Sequence, residues 1–289
     1  MEHILFSEGG KRLLQYAGNI NRIATGYFFT EGPVWSKKQS KLFYTNFADN
    51  TIYSIVPGQE PRLFRANSGR AVGLCIDPKD QLIAAETATH AVTICHADHS
   101  DIIAQSYGGK MLNSPNDVAV RSDGSVLFTD PYSMAMKGPR ELDFNGFYLV
   151  PLREGRYDSP ILLGTMGRPN GIAFSPDESI LYVNDTNQNL IYAYVCENGN
   201  RVAPMGVFAR LDASYGEGAA DGMKVDKQGN VYVTGPGGIW VFDASAAPLA
   251  IIRFPEVVGN FCFGGQNNDT LFAAATTSVY SLCLNAECC

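Results

Sequence analysis

The chain has 289 residues, 45% of them hydrophobic and 18% charged, with a formal net charge of −7. That balance suits a globular protein with a large core and excludes a basic footprint for nucleic acid or anionic lipid. No stretch approaches the ~20 apolar residues of a membrane span, and Met1-Glu-His-Ile-Leu-Phe-Ser7 lacks the cationic and apolar regions of a secretion signal, so a cytoplasmic protein without membrane partners is expected.

Read in chain order, short apolar runs recur in sets of four. The first set is Glu31-Gly-Pro-Val-Trp35, Leu42-Phe-Tyr-Thr-Asn46, Thr51-Ile-Tyr-Ser-Ile55 and Arg62-Leu-Phe64. The second runs from Val72-Gly-Leu-Cys-Ile76 through Leu82-Ile-Ala-Ala-Glu86 to Asp101-Ile-Ile-Ala104. The third holds Asn116-Asp-Val-Ala-Val120, Val126-Leu-Phe-Thr-Asp130, Gly146-Phe-Tyr-Leu-Val150 and Pro160-Ile-Leu-Leu163. The fourth holds Asn170-Gly-Ile-Ala-Phe174, Leu181-Tyr-Val-Asn-Asp185, Leu190-Ile-Tyr-Ala-Tyr194 and Val207-Phe-Ala209. The fifth holds Asp221-Gly-Met-Lys-Val225, Val231-Tyr-Val-Thr-Gly235, Gly238-Ile-Trp-Val-Phe242 and Leu249-Ala-Ile-Ile-Arg253. The sixth has only Asn260-Phe-Cys-Phe-Gly264, Leu271-Phe-Ala-Ala-Ala275 and Ser278-Val-Tyr-Ser-Leu282 before the chain stops.

Turn residues separate the first two runs of each set, as in Ser122-Asp-Gly-Ser125 and Asp226-Lys-Gln-Gly-Asn230. Four short strands per unit, with heads 39 to 54 residues apart, describe the blades of an all-β, six-bladed propeller spanning 1–289 as one domain. The incomplete sixth unit needs a fourth strand, and the unused segment from Lys11 to Gly26 is expected to supply it and close the ring. The longest insertions, Tyr132 to Phe144 and Leu211 to Ala220, are expected as loops over one face and as substrate walls. Cys75, Cys95, Cys262 and Cys283 lie in apolar runs and read as buried thiols of a reducing compartment. Cys288-Cys289 reads as a frayed tail, since the four-residue prenylation box is absent.

In a propeller the innermost strand of each blade lines a central channel. The heads Glu31, Val72, Asn116, Asn170, Asp221 and Asn260 should therefore ring one channel mouth. The ends of the antiparallel second strands, Asn46, Glu86, Asp130 and Asp185, return to the same face, where turn or wall acceptors are expected. Glu31, Asn116, Asn170 and Asp221 offer two carboxylates and two amide carbonyls, a hard oxygen set. It suits one divalent cation, Ca²⁺ before Mn²⁺, Mg²⁺ or Zn²⁺. Without a cation the two carboxylates would repel each other. His96-Ala-Asp-His99 falls where a third strand turns into a fourth and reads as an exposed turn. No Gly-x-Ser-x-Gly nucleophile elbow occurs.

Several segments carry a family resemblance: Thr30-Glu-Gly-Pro-Val-Trp35, Leu112-Asn-Ser-Pro-Asn-Asp-Val118, Phe128-Thr-Asp-Pro131, Arg168-Pro-Asn-Gly-Ile172, Ala220-Asp-Gly-Met223 and Cys262-Phe-Gly-Gly265. From about Tyr27 to Leu284 the chain resembles the gluconolactonase / senescence-marker-protein (regucalcin) family of six-bladed propeller lactonases. The resemblance implies a metal-dependent hydrolase whose ligands fall on Glu31, Asn170 and Asp221, with Asn116 binding metal or substrate and Asp221 as the catalytic base. The wider group includes diisopropyl-fluorophosphatase-like phosphotriesterases, so fold and metal do not fix the reaction.

One departure bears on the substrate. Members near regucalcin carry an arginine two residues ahead of this asparagine, where it grips sugar hydroxyls; here that residue is Ser114. The Asn-Ser-Pro-Asn-Asp wording resembles the microbial gluconolactonase branch, and a less polar lactone is open. In that branch a histidine often follows the position of Glu86; here Thr87 stands there. Ser114, Asn116 and Glu86 are the expected substrate contacts. The expected reaction opens a small-molecule lactone, with a metal-polarised carbonyl and water activated by Asp221. The alternatives are phosphotriester hydrolysis at the same metal, or a non-catalytic calcium-binding propeller; in each case a monomer or small homo-oligomer is expected.

Overall fold

A computed structural model describes residues 2–133 and 140–284. Six antiparallel sheets, each with four strands in blade order, form the propeller anticipated from the repeat. The first blade comprises Thr30–Ser36, Lys41–Asn46, Thr51–Ile55 and Arg62–Ala66, and the second Ala71–Ile76, Leu82–Glu86, Ala91–Cys95 and Ser100–Ala104. Val118–Val120, Val126–Asp130, Gly146–Val150 and Ile161–Thr165 build the third. The fourth is Pro169–Phe174, Ile180–Asp185, Leu190–Glu197 and Arg201–Arg210. Met223–Val225, Val231–Gly235, Gly238–Phe242 and Pro248–Ile252 form the fifth.

The sixth blade takes Val258–Gly264, Thr270–Ala275 and Ser278–Cys283 from the end of the chain and Ile20–Thr25 from its beginning. The pairing is antiparallel, with Ile20 opposite Leu282 and Thr25 opposite Ser278. The expected closing strand thus lies within the Lys11 to Gly26 window, and the closed ring leaves neither the first nor the last blade with an open face.

Apolar side chains alternate along the strands and pack between neighbouring blades. Trp35 of the first blade stacks on Phe272 of the sixth, with ring centroids 5.4 Å apart. Between the fourth and fifth blades lie Ile191, Val231, Val233 and Trp240, all buried. This blade-on-blade burial, rather than any single sheet, is what drives the ring together.

Three features were not legible in the repeat. Ile4–Leu5 adds a fifth strand to the outer edge of the fifth blade, and Phe6 then stacks on Trp240 at 5.7 Å. A short helix follows at Glu8–Leu13, capped by the Ser7 hydroxyl accepting from the Gly10 amide. The insertion from Leu211 to Ala220 folds inward: Leu211 and Ala220 are buried, and Tyr215 packs edge-on against Trp240 at 5.1 Å.

The cysteines also differ in part from expectation. Cys75, Cys95 and Cys262 are free and at least half-buried, but Cys283 is disulfide-bonded rather than a buried thiol. Cys288 and Cys289 lie outside the described residues. Among the described residues no helix is long and apolar enough to cross a membrane.

Candidate metal centre and active site

The innermost strands are irregular where the site forms. In four blades the ladder register shifts at the head: between Glu31 and Val34, Ala71 and Leu74, Pro169 and Ile172, and Val258 and Asn260. A bulge at such a place turns a side chain out of the sheet and ends regular pairing. Gly32 sits in one of these bulges at φ 45°, a left-handed conformation that favours glycine. At Glu31 and Asn170 the bulge aims the head side chain across the channel mouth rather than into the blade, whereas Asn116 and Asp221 stand just ahead of their strands, Val118–Val120 and Met223–Val225.

Glu31, Asn116, Asn170 and Asp221 all line one cavity of about 240 Å³ at that mouth. Phe29, Phe47, Val72, Thr87, Ser114, Pro131, Tyr132, Ser133 and Arg168 complete its lining. Glu31 and Asn170 are buried; Asn116 and Asp221 are half-buried.

Close packing of adjacent inner strands fixes these positions. A Cβ added at Gly259 would lie 2.3 Å from Glu31 Oε1, and one at Gly171 would lie 2.2 Å from the Asp221 carbonyl. The glycines are thus what allow neighbouring blades to bring the candidate ligands together.

The ends of the second strands support the site from behind. Asn46 Oδ1 accepts from the Phe29 amide at 3.3 Å. Asp130 accepts from the amides of Asn113 and Ser114 at 2.8 and 2.7 Å, and Asp185 accepts from Gly167 at 3.0 Å. Each therefore pins the loop that carries a cavity residue: Phe29, Ser114 or Arg168. These acceptors hold the loops, as the sequence suggested for strand-end acids.

Glu86 stands outside the cavity lining. Its carboxylate accepts from the hydroxyls of Thr89, Thr93 and Ser100 at 2.8, 2.9 and 2.7 Å, and Arg65 lies 3.7 Å away. Glu86 is thereby committed to bracing the second blade and tying it to the first, and its neighbour Thr87 lines the cavity instead.

The insertions also part company. Pro131, Tyr132 and Ser133, at the start of the third-blade insertion, line the cavity. Residues 134–139 of that insertion lie outside the described residues. The loop from Leu211 to Ala220 contributes nothing to the lining.

The electrostatics suit a cation. Burial pushes Glu31 up to about 7, and the nearby charge of Asp117 adds to the effect. Asp221 is held well above the usual carboxylate range, first by burial and then by the charges of Glu31 and Asp117. Arg168, exposed at the mouth, opposes this from outside. Asn170 donates its Nδ2 to Thr186 Oγ1 at 3.1 Å, while its Oδ1 is buried with no hydrogen-bond partner. Crowded, desolvated carboxylates beside an orphaned amide oxygen form the environment that a hard divalent ion relieves.

Asp117, Lys224 and Arg168 were not singled out from the sequence. Asp117 follows a head directly, and Lys224 interrupts an apolar inner strand; either oddity could have drawn notice.

Two other places bear comparison. A larger cavity, about 660 Å³, opens at the far ends of the same strands between the first and sixth blades, lined by Trp35, Gln59, Gln266 and Phe272 among others. None of the candidate ligands reaches it. On the outer hairpin of the second blade, ligand atoms of His96, His99 and Asp101 lie within 4.8 Å of one another. His99 and Asp101 are exposed there, consistent with the turn read from the sequence.

Comparisons with known proteins agree with the propeller fold. The chain is 29% identical to the gluconolactonase of Zymomonas mobilis subsp. mobilis, over 95% of this chain and 83% of that one. A solved gluconolactonase from Xanthomonas campestris superposes with a TM-score of 0.89 at 26% identity, covering 97% of this chain and 94% of the other. A calcium-binding protein, regucalcin, from Agrobacterium tumefaciens shares the fold, with a TM-score of 0.72 at 17% identity over 89% and 90% of the two chains. Residues 29–277 match the family described as SMP-30/Gluconolactonase/LRE-like region, and the chain belongs to that family.

Proposed function

We propose that this protein is a metal-dependent lactonase, a carboxylic ester hydrolase whose centre is held by Glu31, Asn116, Asn170 and Asp221. The observation that carries the reading is the convergence of these side chains, from four blades, on one small cavity. The relatives from Zymomonas and Xanthomonas, both named gluconolactonases, support the reaction class. The oxygen-only ligand set favours calcium as the ion. When bound, the ion supplies Lewis-acid polarisation of the ring carbonyl.

The chain's own residues do the rest. Asp221, at the cavity wall with a proton affinity raised by burial, accepts the proton of the attacking water. The water oxygen adds to the ring carbonyl, the ring C–O bond breaks, and the departing alkoxide takes the proton back. The product is an open-chain hydroxy acid. Ser114 and Asn116 offer hydrogen bonds to substrate oxygens, while the Thr87 hydroxyl is committed to the Pro115 carbonyl at 2.9 Å. Ser114 is held for that task by the bond from its amide to Asp130. Arg168, exposed at the cavity mouth, offers a positive charge to the product carboxylate. Glu86 has no substrate role in this reading, because its carboxylate is already saturated.

Phe29, Phe47, Val72, Pro131 and Tyr132 make much of the lining apolar. Together with Ser114 in place of an arginine, this favours a lactone with an apolar face over a heavily hydroxylated sugar.

The test is hydrolysis of sugar, aliphatic and bicyclic lactones beside an organophosphate, after chelation and re-addition of Ca²⁺, Mn²⁺, Mg²⁺ or Zn²⁺. Lactone turnover lost on chelation and restored by calcium is the expected outcome. Turnover of the organophosphate alone would move the reading to a phosphotriesterase. Metal binding without turnover of any ester would reduce the protein to a calcium-binding propeller.

A further inference from the structure

Below the ligands, the channel contains a buried carboxylate that the reaction does not use. Asp117 is 1% exposed, and its Oδ1 accepts from the Val118 amide at 2.9 Å. Its Oδ2 is buried with no hydrogen-bond partner. Lys224 reaches up from the innermost strand of the fifth blade and places its Nζ 3.9 Å from that oxygen. The same ammonium donates to the Met223 carbonyl at 3.0 Å and to Asn260 Oδ1 at 3.4 Å.

Lys224 also borders a lower cavity of about 390 Å³, lined mostly by apolar groups such as Val34, Ile76, Val120 and Ile172. An ammonium beside such walls is costly unless paired. The chain has nonetheless placed a lysine where an apolar strand residue would fit. Close approach is built in: a Cβ at Gly73 would lie 2.5 Å from Asp117 Oδ1, and one at Gly222 would lie 2.2 Å from Asn260 Oδ1.

Charge balance explains the arrangement. Once ionised by a bound cation, Glu31, Asp117 and Asp221 bring three negative charges to one channel. The proposed divalent ion supplies two positive charges, and Lys224 supplies the third.

We infer that Lys224 is a tethered counter-cation, a positioning residue that neutralises Asp117 and keeps that carboxylate out of the metal's ligand set. The part concerning the metal rests on the lactonase reading above; the pairing with Asp117 does not.

The experiment is a double-variant cycle on the full chain, comparing wild type, Lys224→Met, Asp117→Asn and the double variant. One readout is the thermal midpoint after chelation. The other is Ca²⁺ affinity by calorimetry. Lys224→Met should lower the metal-free midpoint by several degrees, and adding Asp117→Asn should recover most of that loss. Calcium affinity should rise in Lys224→Met, by roughly tenfold or more, because a repelling charge is gone and a free carboxylate is added. The double variant should return it toward wild type.

A double variant no more stable than Lys224→Met would overturn the inference, since Lys224 would then serve packing alone. Unchanged or weaker calcium binding in Lys224→Met would overturn the claim about the ligand set. If Lys224→Met proves insoluble, a soluble double variant supports the pairing and an insoluble one overturns it. Should wild type bind no calcium, the metal reading fails, while the metal-free midpoints still decide the pairing.

Discussion

The Thr129 hydroxyl donates to the main-chain carbonyl of Asn170 at 2.8 Å, so a strand of the third blade holds a candidate ligand of the fourth. Thr129 Oγ1 also accepts from the Asp117 amide at 3.1 Å. Related bonds recur around the channel: Thr45 donates to the Val72 carbonyl at 3.3 Å, Asn184 to Asp221 at 2.5 Å, and Thr234 to Gly259 at 3.1 Å. The next-to-last residue of a second strand thereby sets the head of the following blade. Thr129→Val keeps the shape but strands two buried polar groups. A loss of about 1–3 kcal/mol of stability is expected, with weaker metal binding. Urea unfolding and metal titration check both, and an effect on stability alone would show that Asn170 does not depend on this bond.

Gly259→Ala separates ligand placement from folding. Backbone conformation permits alanine there, but its Cβ would meet the flexible end of Glu31 at 2.3 Å. The expected result is a folded protein whose Glu31 is pushed aside, with metal affinity down by at least an order of magnitude and activity falling in step. Near wild-type affinity would mean that Glu31 is not a ligand.

For Asp221→Asn the two readouts should move in opposite directions. Turnover should fall by about 10²–10⁴-fold, as for loss of a general base. The metal-free protein should melt higher, because a buried carboxylate repelled by Glu31 and Asp117 has gone. Steady-state kinetics on a lactone and a thermal scan after chelation measure the pair.

Glu86→Ala is expected to damage the fold and spare the chemistry. It leaves Arg65 buried with one partner fewer and three hydroxyls without their acceptor, a change of about 3–5 kcal/mol for breaking a buried pair. The Michaelis constant of the remaining folded enzyme should be unchanged. A raised constant at wild-type stability would restore Glu86 to substrate binding.

Asp130 gives the stability a pH signature. Burial pushes its carboxyl from 3.8 up to about 7, against the pull of the Asn113 and Ser114 amides. The folded value lies above the unfolded one, so this group's contribution is fully present below about 4 and is lost as pH rises through about 7. Asp130→Asn lacks that slope, although it loses an acceptor at every pH. The gap in urea midpoint between wild type and variant should therefore narrow from pH ~5 to ~8. A gap independent of pH would place Asp130 charged throughout.

The sequence was informative where geometry repeats. A head every few dozen residues was enough to bring Glu31, Asn116, Asn170 and Asp221 to one mouth, because blade symmetry converts equal positions into neighbouring ones. It was uninformative where one blade acts on another. Glu86 occupies the same strand-end position as Asp130 and Asp185, yet Ser100 of its own blade and Arg65 of the first blade draw its carboxylate away from the mouth. The loop from Leu211 to Ala220 was long enough for a wall, but Tyr215 found an aromatic partner in Trp240 and turned away from the mouth. Lys224 was legible only as a misfit, since nothing in the sequence says which buried acid it will meet.

Ile20–Thr25 pairs with Ser278–Cys283, so the sixth blade is completed by two segments from distant parts of the chain, one synthesised long before the other. Glu31 follows that first strand by only a few residues, and its inner strand packs beside the sixth blade's Gly259. During synthesis the middle blades can assemble in turn, while the seam that seats Glu31 must wait for the final strand. Closing so long a loop is the slow kind of contact formation. The first candidate ligand to be translated is thus the last to be locked, and truncated chains should fold several blades yet never mature a binding centre.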